Sequence, residues 1–119
     1  MPELTIESLM DLLPQLFQAN RSEGADVSIN FDLTGEGGGP WNVRIKDRQC
    51  SVSRQLAENA GLSLKSKAQD ILDIFTGKLD AKRALFFGRL KMSGSMKLAM
   101  KLAAYFNIDD PRLHQWERD

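Results

Sequence analysis

Between residues 27 and 33 the chain alternates without a break: Val27, Ile29, Phe31 and Leu33 are apolar, and Ser28, Asn30 and Asp32 between them are polar. Successive side chains of a strand point to opposite faces, so the segment predicts a strand with one dry face and one wet face. Trp41, Val43 and Ile45 repeat the pattern against Asn42, Arg44 and Lys46. The glycine-rich run 35–40 predicts a hairpin loop between the two, and 46–49 a second turn leading into Cys50 and Val52. Leu62 and Leu64 predict a fourth strand. Leu90 and Met92, alternating with Arg89, Lys91 and Ser93, predict a fifth.

Elsewhere the apolar period lengthens to that of a helix. Ile6, Leu9, Leu13, Leu16 and Phe17 recur at helical spacing behind Thr5, a residue type suited to an N-cap. Pro14 predicts either a kink or two short helices, 5–12 and 14–19, followed by a polar turn at 20–24. Ser66 and Gln69 stand at capping-box spacing and predict a helix with Ala68, Ile71, Leu72 and Phe75 on one face, ended by Gly77. Asp80 caps the next helix, which Gly88 ends, and Gly94 with Ser95 starts a helix over 96–106. Asp110 with Pro111 opens a short charged terminal helix. This order predicts an α+β fold: a five-stranded, mainly antiparallel sheet with helices packed on one face. One domain over 1–108 and a helical extension over 109–119 are expected.

Composition narrows the class. The 119 residues are 42 % hydrophobic and 27 % charged, the balance of a globular domain able to bury a core without metal or disulfides. The single cysteine, Cys50, sits in a strand pattern and reads as a small buried hydrophobe. No apolar run reaches the ~18 residues of a membrane span. The early acidic residues Glu3 and Glu7 do not suit a secretory leader, so a cytoplasmic location is expected. There is no phosphate loop, metal-ligand spacing or nucleophile motif, so the sequence predicts neither enzyme activity nor a cofactor or metal. His114 and the carboxylates Glu58, Asp70 and Asp73 read as solvated charges.

The helix over 96–106 carries charge only at Lys97 and Lys101, on one side, and is otherwise nearly all apolar. A helix on a sheet needs one apolar stripe, so this one calls for a second hydrophobic neighbour, another helix or a ligand. Met92, Met96 and Met100 cluster there, and unbranched, polarizable methionines adapt to ligands of varied shape; the same residues also fit an ordinary core. Between residues 77 and 106, seven basic side chains face one carboxylate, Asp80. That excess suits a solvated face or transient contact with an anionic membrane; no nucleic-acid motif accompanies it.

The hairpin FDLTGEGGGPW, the segment GKLD and the strand GRLKMSG leading into an apolar helix occur here in that order. Together they make residues 9–106 resemble the sterol carrier protein type 2 family. The resemblance implies a hydrophobic tunnel between sheet and helices for a fatty acid, acyl-CoA, sterol or similar lipid. Two departures stand out: Asp47-Arg48 where the family hairpin usually turns on Asp-Gly, and the connection 55–60. On this reading Phe31, Trp41, Val43, Phe75, Phe87, Met92, Met96, Met100 and Phe106 line the ligand site, and the protein binds or transfers lipid. The alternative is an interaction or regulatory module that docks on another protein, or on its own copy, through helix 96–106. An enzyme acting on lipid esters or thioesters would need a nucleophile that the sequence does not supply. The sequence leaves the oligomeric state open.

Overall fold

A computed structural model describes residues 4–107 and Leu113. The strands are β1 (Asp26–Thr34), β2 (Gly39–Lys46), β3 (Gln49–Ser53), β4 (Leu62–Lys67) and β5 (Leu90–Gly94); the helices are α1 (Ile6–Leu16), α2 (Ala68–Phe75), α3 (Ala81–Phe86) and α4 (Met96–Tyr105). The sheet order is β3-β2-β1-β4-β5; β1 pairs parallel to β4, and the other pairings are antiparallel. The expected α+β architecture is therefore the one observed, with a single parallel pairing where the chain crosses from β3 to β4.

Register sorts the two faces. Cross-strand partners share a face, so Val52, Val43, Ile29 and Leu62 form one apolar row, and Trp41, Phe31, Leu64 and Met92 the next. α1 covers this face with Ile6, Leu9, Met10, Leu13 and Leu16, all buried. On the opposite face Asn42 donates from Nδ2 to Ser28 Oγ at 2.8 Å and to Asn30 Oδ1 at 2.9 Å. Asn30 in turn pairs with the backbone of Ala57: its Nδ2 donates to the carbonyl at 2.8 Å, and its Oδ1 accepts from the N–H at 2.9 Å. A buried amide must be satisfied, and this one is satisfied by the crossover itself, which it seats across the polar face.

Local chemistry accounts for most of the boundaries. Thr5 caps α1, accepting from the Ser8 N–H at 3.1 Å. Pro14 lies inside a single helix that ends two residues later, so the chain does not divide into two separate helices here. Phe17 leaves the helix, bridges Phe106 in antiparallel fashion and packs its ring 5.9 Å from that of Phe106. Asp47 and Arg48 both adopt positive φ, 54° and 61°, the backbone that a two-residue hairpin needs and that glycine normally supplies. Asp80 and Ser95 cap α3 and α4 as expected. The capping box at Ser66 does not form: Ser66 Oγ donates to the Lys67 carbonyl, and α2 starts one residue later with no side-chain cap.

One glycine is required by space as well as by φ. Gly94 has a φ of +110°, and a Cβ there would overlap the carbonyl oxygen of Gly61. The next amide, Ser95 N–H, donates to that same carbonyl at 2.9 Å. This contact fixes where β5 ends and α4 begins. Of the 109–119 extension only Leu113 is described; it is helical and fully buried. Asp110, Pro111 and His114 lie outside the described residues.

Candidate functional site

The sheet's apolar face is closed under α1 and less completely covered under α3 and α4; its centre is buried, and it is half-buried at Cys50 and Val52 on β3 as well as at Met92 on β5. Phe31, Val43, Trp41 and Phe106 are buried in the core. Phe75 at the end of α2 and Met92 on β5 are half-buried against it. Phe87, Met96 and Met100 point outward, 70 %, 59 % and 76 % exposed. The nine side chains expected to line one site are thus spread over a buried floor, a half-buried margin and an outer surface.

The margin includes residues that pattern reading passed over. Leu79 ahead of α3, Leu85 in α3, and Ala99 and Leu102 in α4 are all half-buried against the core. α3 packs on β5 and α4 on β4, which puts both helices toward the β5 end of the sheet, where Met92 is half-buried. Leu79 and Leu85 bracket α3 on the core side, a spacing visible in the sequence once α3 is known to lie over an edge strand. In α4 only Leu98 and Tyr105 are buried among the described side chains. The helix also touches the short turn Ala19–Arg21, yet Met96 and Met100 remain exposed.

The ends of α1 and α4 are tied together. Gln18 N–H donates to the Tyr105 carbonyl at 2.7 Å, and Asn107 N–H to the Leu16 carbonyl at 2.9 Å. Just past the end of β3, Arg54 stacks over Trp41, 4.8 Å from the ring centroid, and bonds Glu7 at 3.0 Å, which joins that edge of the sheet to α1. The arrangement holds α1 firmly at both ends and holds α4 at its C-terminal end and at Gly94.

Charge at the site differs from the sequence expectation in one respect. Asp70 is a buried carboxylate, 6 % exposed, that accepts from Arg89 at 2.6 Å. The hydrogen bond to Asp70 and its charge hold the Arg89 guanidinium above its ordinary pKa. The partners lie nineteen residues apart, beyond any local spacing rule. Cys50 is half-buried on the apolar face opposite Ile45, and burial pushes its thiol up to about 11, so it remains protonated and unreactive at neutral pH. Among the described residues no group of three or more His, Cys, Asp or Glu side chains could hold a metal, and no helix is long and apolar enough to cross a membrane.

What this arrangement offers, among the described residues, is apolar surface at the margin of a core. The sequence profile of the SCP-2 sterol transfer family matches residues 9–107. The chain is 33 % identical over 84 residues to the human hydroxysteroid dehydrogenase-like protein 2, covering 70 % of this chain and 20 % of that protein. It therefore spans about a fifth of the length of that relative. Among solved structures, the palmitated SCP2L2 of Aedes aegypti superposes with a TM-score of 0.65 at 20 % identity, covering 85 % of this chain and 93 % of the other. A sec-alkylsulfatase from Pseudomonas, Pisa1, superposes with a TM-score of 0.77 at 19 % identity over 87 % of this chain and 16 % of its own, so the same fold also occurs inside much longer enzymes. By the profile match across most of its length, this chain belongs to the SCP-2 sterol transfer family.

Proposed function

We propose that the chain is a cytoplasmic lipid-binding and lipid-transfer module that carries out no reaction and holds a fatty acid, acyl-CoA or sterol-like molecule between the sheet and the helices. One observation carries this reading. The row Trp41, Phe31, Leu64, Met92 passes from buried to half-buried at β5, while α4 above that end leaves apolar side chains uncovered. The tunnel wall then consists of Phe75, Leu85, Met92 and Leu102 over a floor that includes Phe31. The palmitated relative supports a fatty acid as one ligand class.

The energetics are adequate without a head-group site. Burying fifteen or so methylenes is worth roughly 12 kcal/mol gross at about 0.8 kcal/mol each, before the costs of ordering and lost motion. A pocket that reads only apolar length discriminates weakly, since one methylene changes binding by about 1–3 kcal/mol. Loading at an anionic bilayer through the basic segment 77–106 completes the proposal. Lys78, Lys82 and Arg83 are exposed there, and Phe86 and Phe87, 84 % and 70 % exposed, stand beside them as apolar anchors.

Native mass spectrometry of gently purified protein, followed by organic extraction, tests the proposal. A stoichiometric lipid, and re-uptake of palmitate after delipidation, are the expected results. A ligand-free monomer that rejects added palmitate and sterol would overturn it. The exposure of Met96 and Met100 favours the second reading, a module that docks on a protein through α4; that reading predicts a dimer on sizing, or a partner held by α4, with no lipid taken up.

A further inference from the structure

The face of the sheet away from the proposed lipid carries a feature that lipid binding does not use. Where β4 runs into α2, a groove of about 530 Å³ is lined chiefly by Lys65, Lys67, Arg89 and Lys91, with Thr34 and Asp70. All four basic residues are exposed. Alternation puts Lys65 and Lys67 on the polar face, opposite to Leu64, and Lys91 on the same face of β5, opposite to Met92. Arg89 is engaged with Asp70, whereas Lys65, Lys67 and Lys91 make no ion pair among the described residues. Asp32 lies beside Lys65 in register on β1 and is likewise unpaired among them, so it offsets one charge of the cluster.

Lys65 and Lys91 are direct cross-strand partners. Like charges in that position destabilise a sheet. A lysine on an edge strand deters unwanted strand pairing, which accounts for Lys91 on β5. It does not account for Lys65 and Lys67, which lie on β4, an interior strand. α2 begins immediately after Lys67, which as the N-cap residue gives no side-chain cap, and the one acidic residue of its first turn, Asp70, is held by Arg89.

We propose that this groove is an anion site for a phosphate ester or diphosphate, gripped by Lys65, Lys67 and Lys91 and distinct from the apolar lipid cleft. The charge decides the class: three uncommitted ammonium groups exceed what one carboxylate neutralises and match a multiply charged phosphate, which lysine binds as a point charge. The phosphate belongs either to a soluble metabolite or to a lipid head group. Both sources present the same chemistry.

Titration calorimetry of the full chain with inorganic pyrophosphate at low salt tests the site, with Lys67→Gln, Lys91→Gln and, on the distant β2–β3 hairpin, Lys46→Gln. Loss of one charge-assisted contact is expected to weaken binding about tenfold or more in Lys67→Gln and Lys91→Gln, and to leave it unchanged in Lys46→Gln. Removing the repulsion on Lys65 is also expected to raise the melting temperature of Lys91→Gln by about 2 °C. A variant that is more stable yet binds less is not what a merely structural lysine gives. Vesicles of phosphatidylcholine doped with phosphatidic acid, against phosphatidylcholine alone, separate the sources. Pyrophosphate binding that Lys67→Gln and Lys91→Gln weaken assigns a soluble phosphate, and vesicle binding alone with the same sensitivity assigns a head group. No binding to either probe, or equal weakening by Lys46→Gln, overturns the site; failure of the lipid proposal would leave untouched the pyrophosphate result and the effect of Lys67→Gln, which lies outside the basic segment 77–106.

Discussion

Two helices built from similar apolar residues lie on this sheet with opposite outcomes. α1 buries Ile6, Leu9, Met10, Leu13 and Leu16 to 2 % exposure or less, whereas α4 leaves Met96 and Met100 at 59 % and 76 %. α1 confines its apolar side chains to a stripe and turns Glu7, Asp11 and Gln15 outward. α4 has apolar side chains around most of its circumference, and one sheet covers only some of them. At about 1.5–3 kcal/mol for each fully buried aliphatic side chain, the five from α1 contribute on the order of 10 kcal/mol gross, comparable with the whole net stability of a domain. The end under α1 is closed and can carry the fold; an apolar neighbour that exchanges at the open end, under α4, belongs to the proposed function.

The sharpest break in that contrast comes from truncation. Phe31→Ala, in the buried row, is expected to cost about 3–5 kcal/mol in chemical denaturation. A loss within the scatter of surface variants would mean that the closed end is not the stabilising half. Gly94→Ala is expected to cost about 3 kcal/mol or more, because it forces both a positive φ and an overlap with the Gly61 carbonyl. An unchanged denaturation midpoint would show that β5 and α4 are not anchored through that contact.

Ligand linkage sharpens the contrast from the other side. Palmitate at about a hundredfold excess over its Kd should stabilise the delipidated chain by about 2.7 kcal/mol, read as a rise in melting temperature. No rise at saturation would remove the ligand from the folded state. Cys50 supplies a control in the closed end. Its folded pKa is raised from 9.0 to about 11, so the unfolded chain loses the thiol proton first and stability falls as pH climbs from 9 toward 11. Denaturation at stepped pH should show the wild type losing stability relative to Cys50→Ala across that window and not below it; parallel curves would mean an unperturbed thiol. At the small end, Met100→Ala is expected to change stability by no more than about 0.5 kcal/mol. A larger loss would place Met100 inside a packed core.

Much of this architecture is legible in the sequence, for physical reasons specific to each part. The strands stand out because period-two alternation has one interpretation when a face is buried, and the register of Phe31 opposite Trp41 and Leu64 follows it. Thr5, Asp80 and Ser95 are legible as caps because capping is a contact between near neighbours. Ser66 is not, since its hydroxyl finds the Lys67 carbonyl instead of the helix amides. Asp70 reads as a surface charge because its partner arrives only when β5 folds beside β4. The candidate site is legible in kind but not in detail. Hydrophobic residues around a whole helix announce an unmet neighbour, yet nothing local tells which of Phe87, Met92, Met96 and Met100 turns inward. Lys65 and Lys67 are ordinary strand positions until Lys91 is set across from them.

The most direct test uses the methionines as reporters in both halves. Met10 lies sealed under α1, Met92 sits at the half-buried margin, and Met96 and Met100 stand outside it. With methionine methyl groups labelled, palmitate added to the delipidated chain is predicted to shift the Met92 methyl resonance strongly and to leave Met10 in place. Equal shifts at Met10 and Met92, or none at Met92 with palmitate bound, would contradict a lipid held at the open end of the sheet.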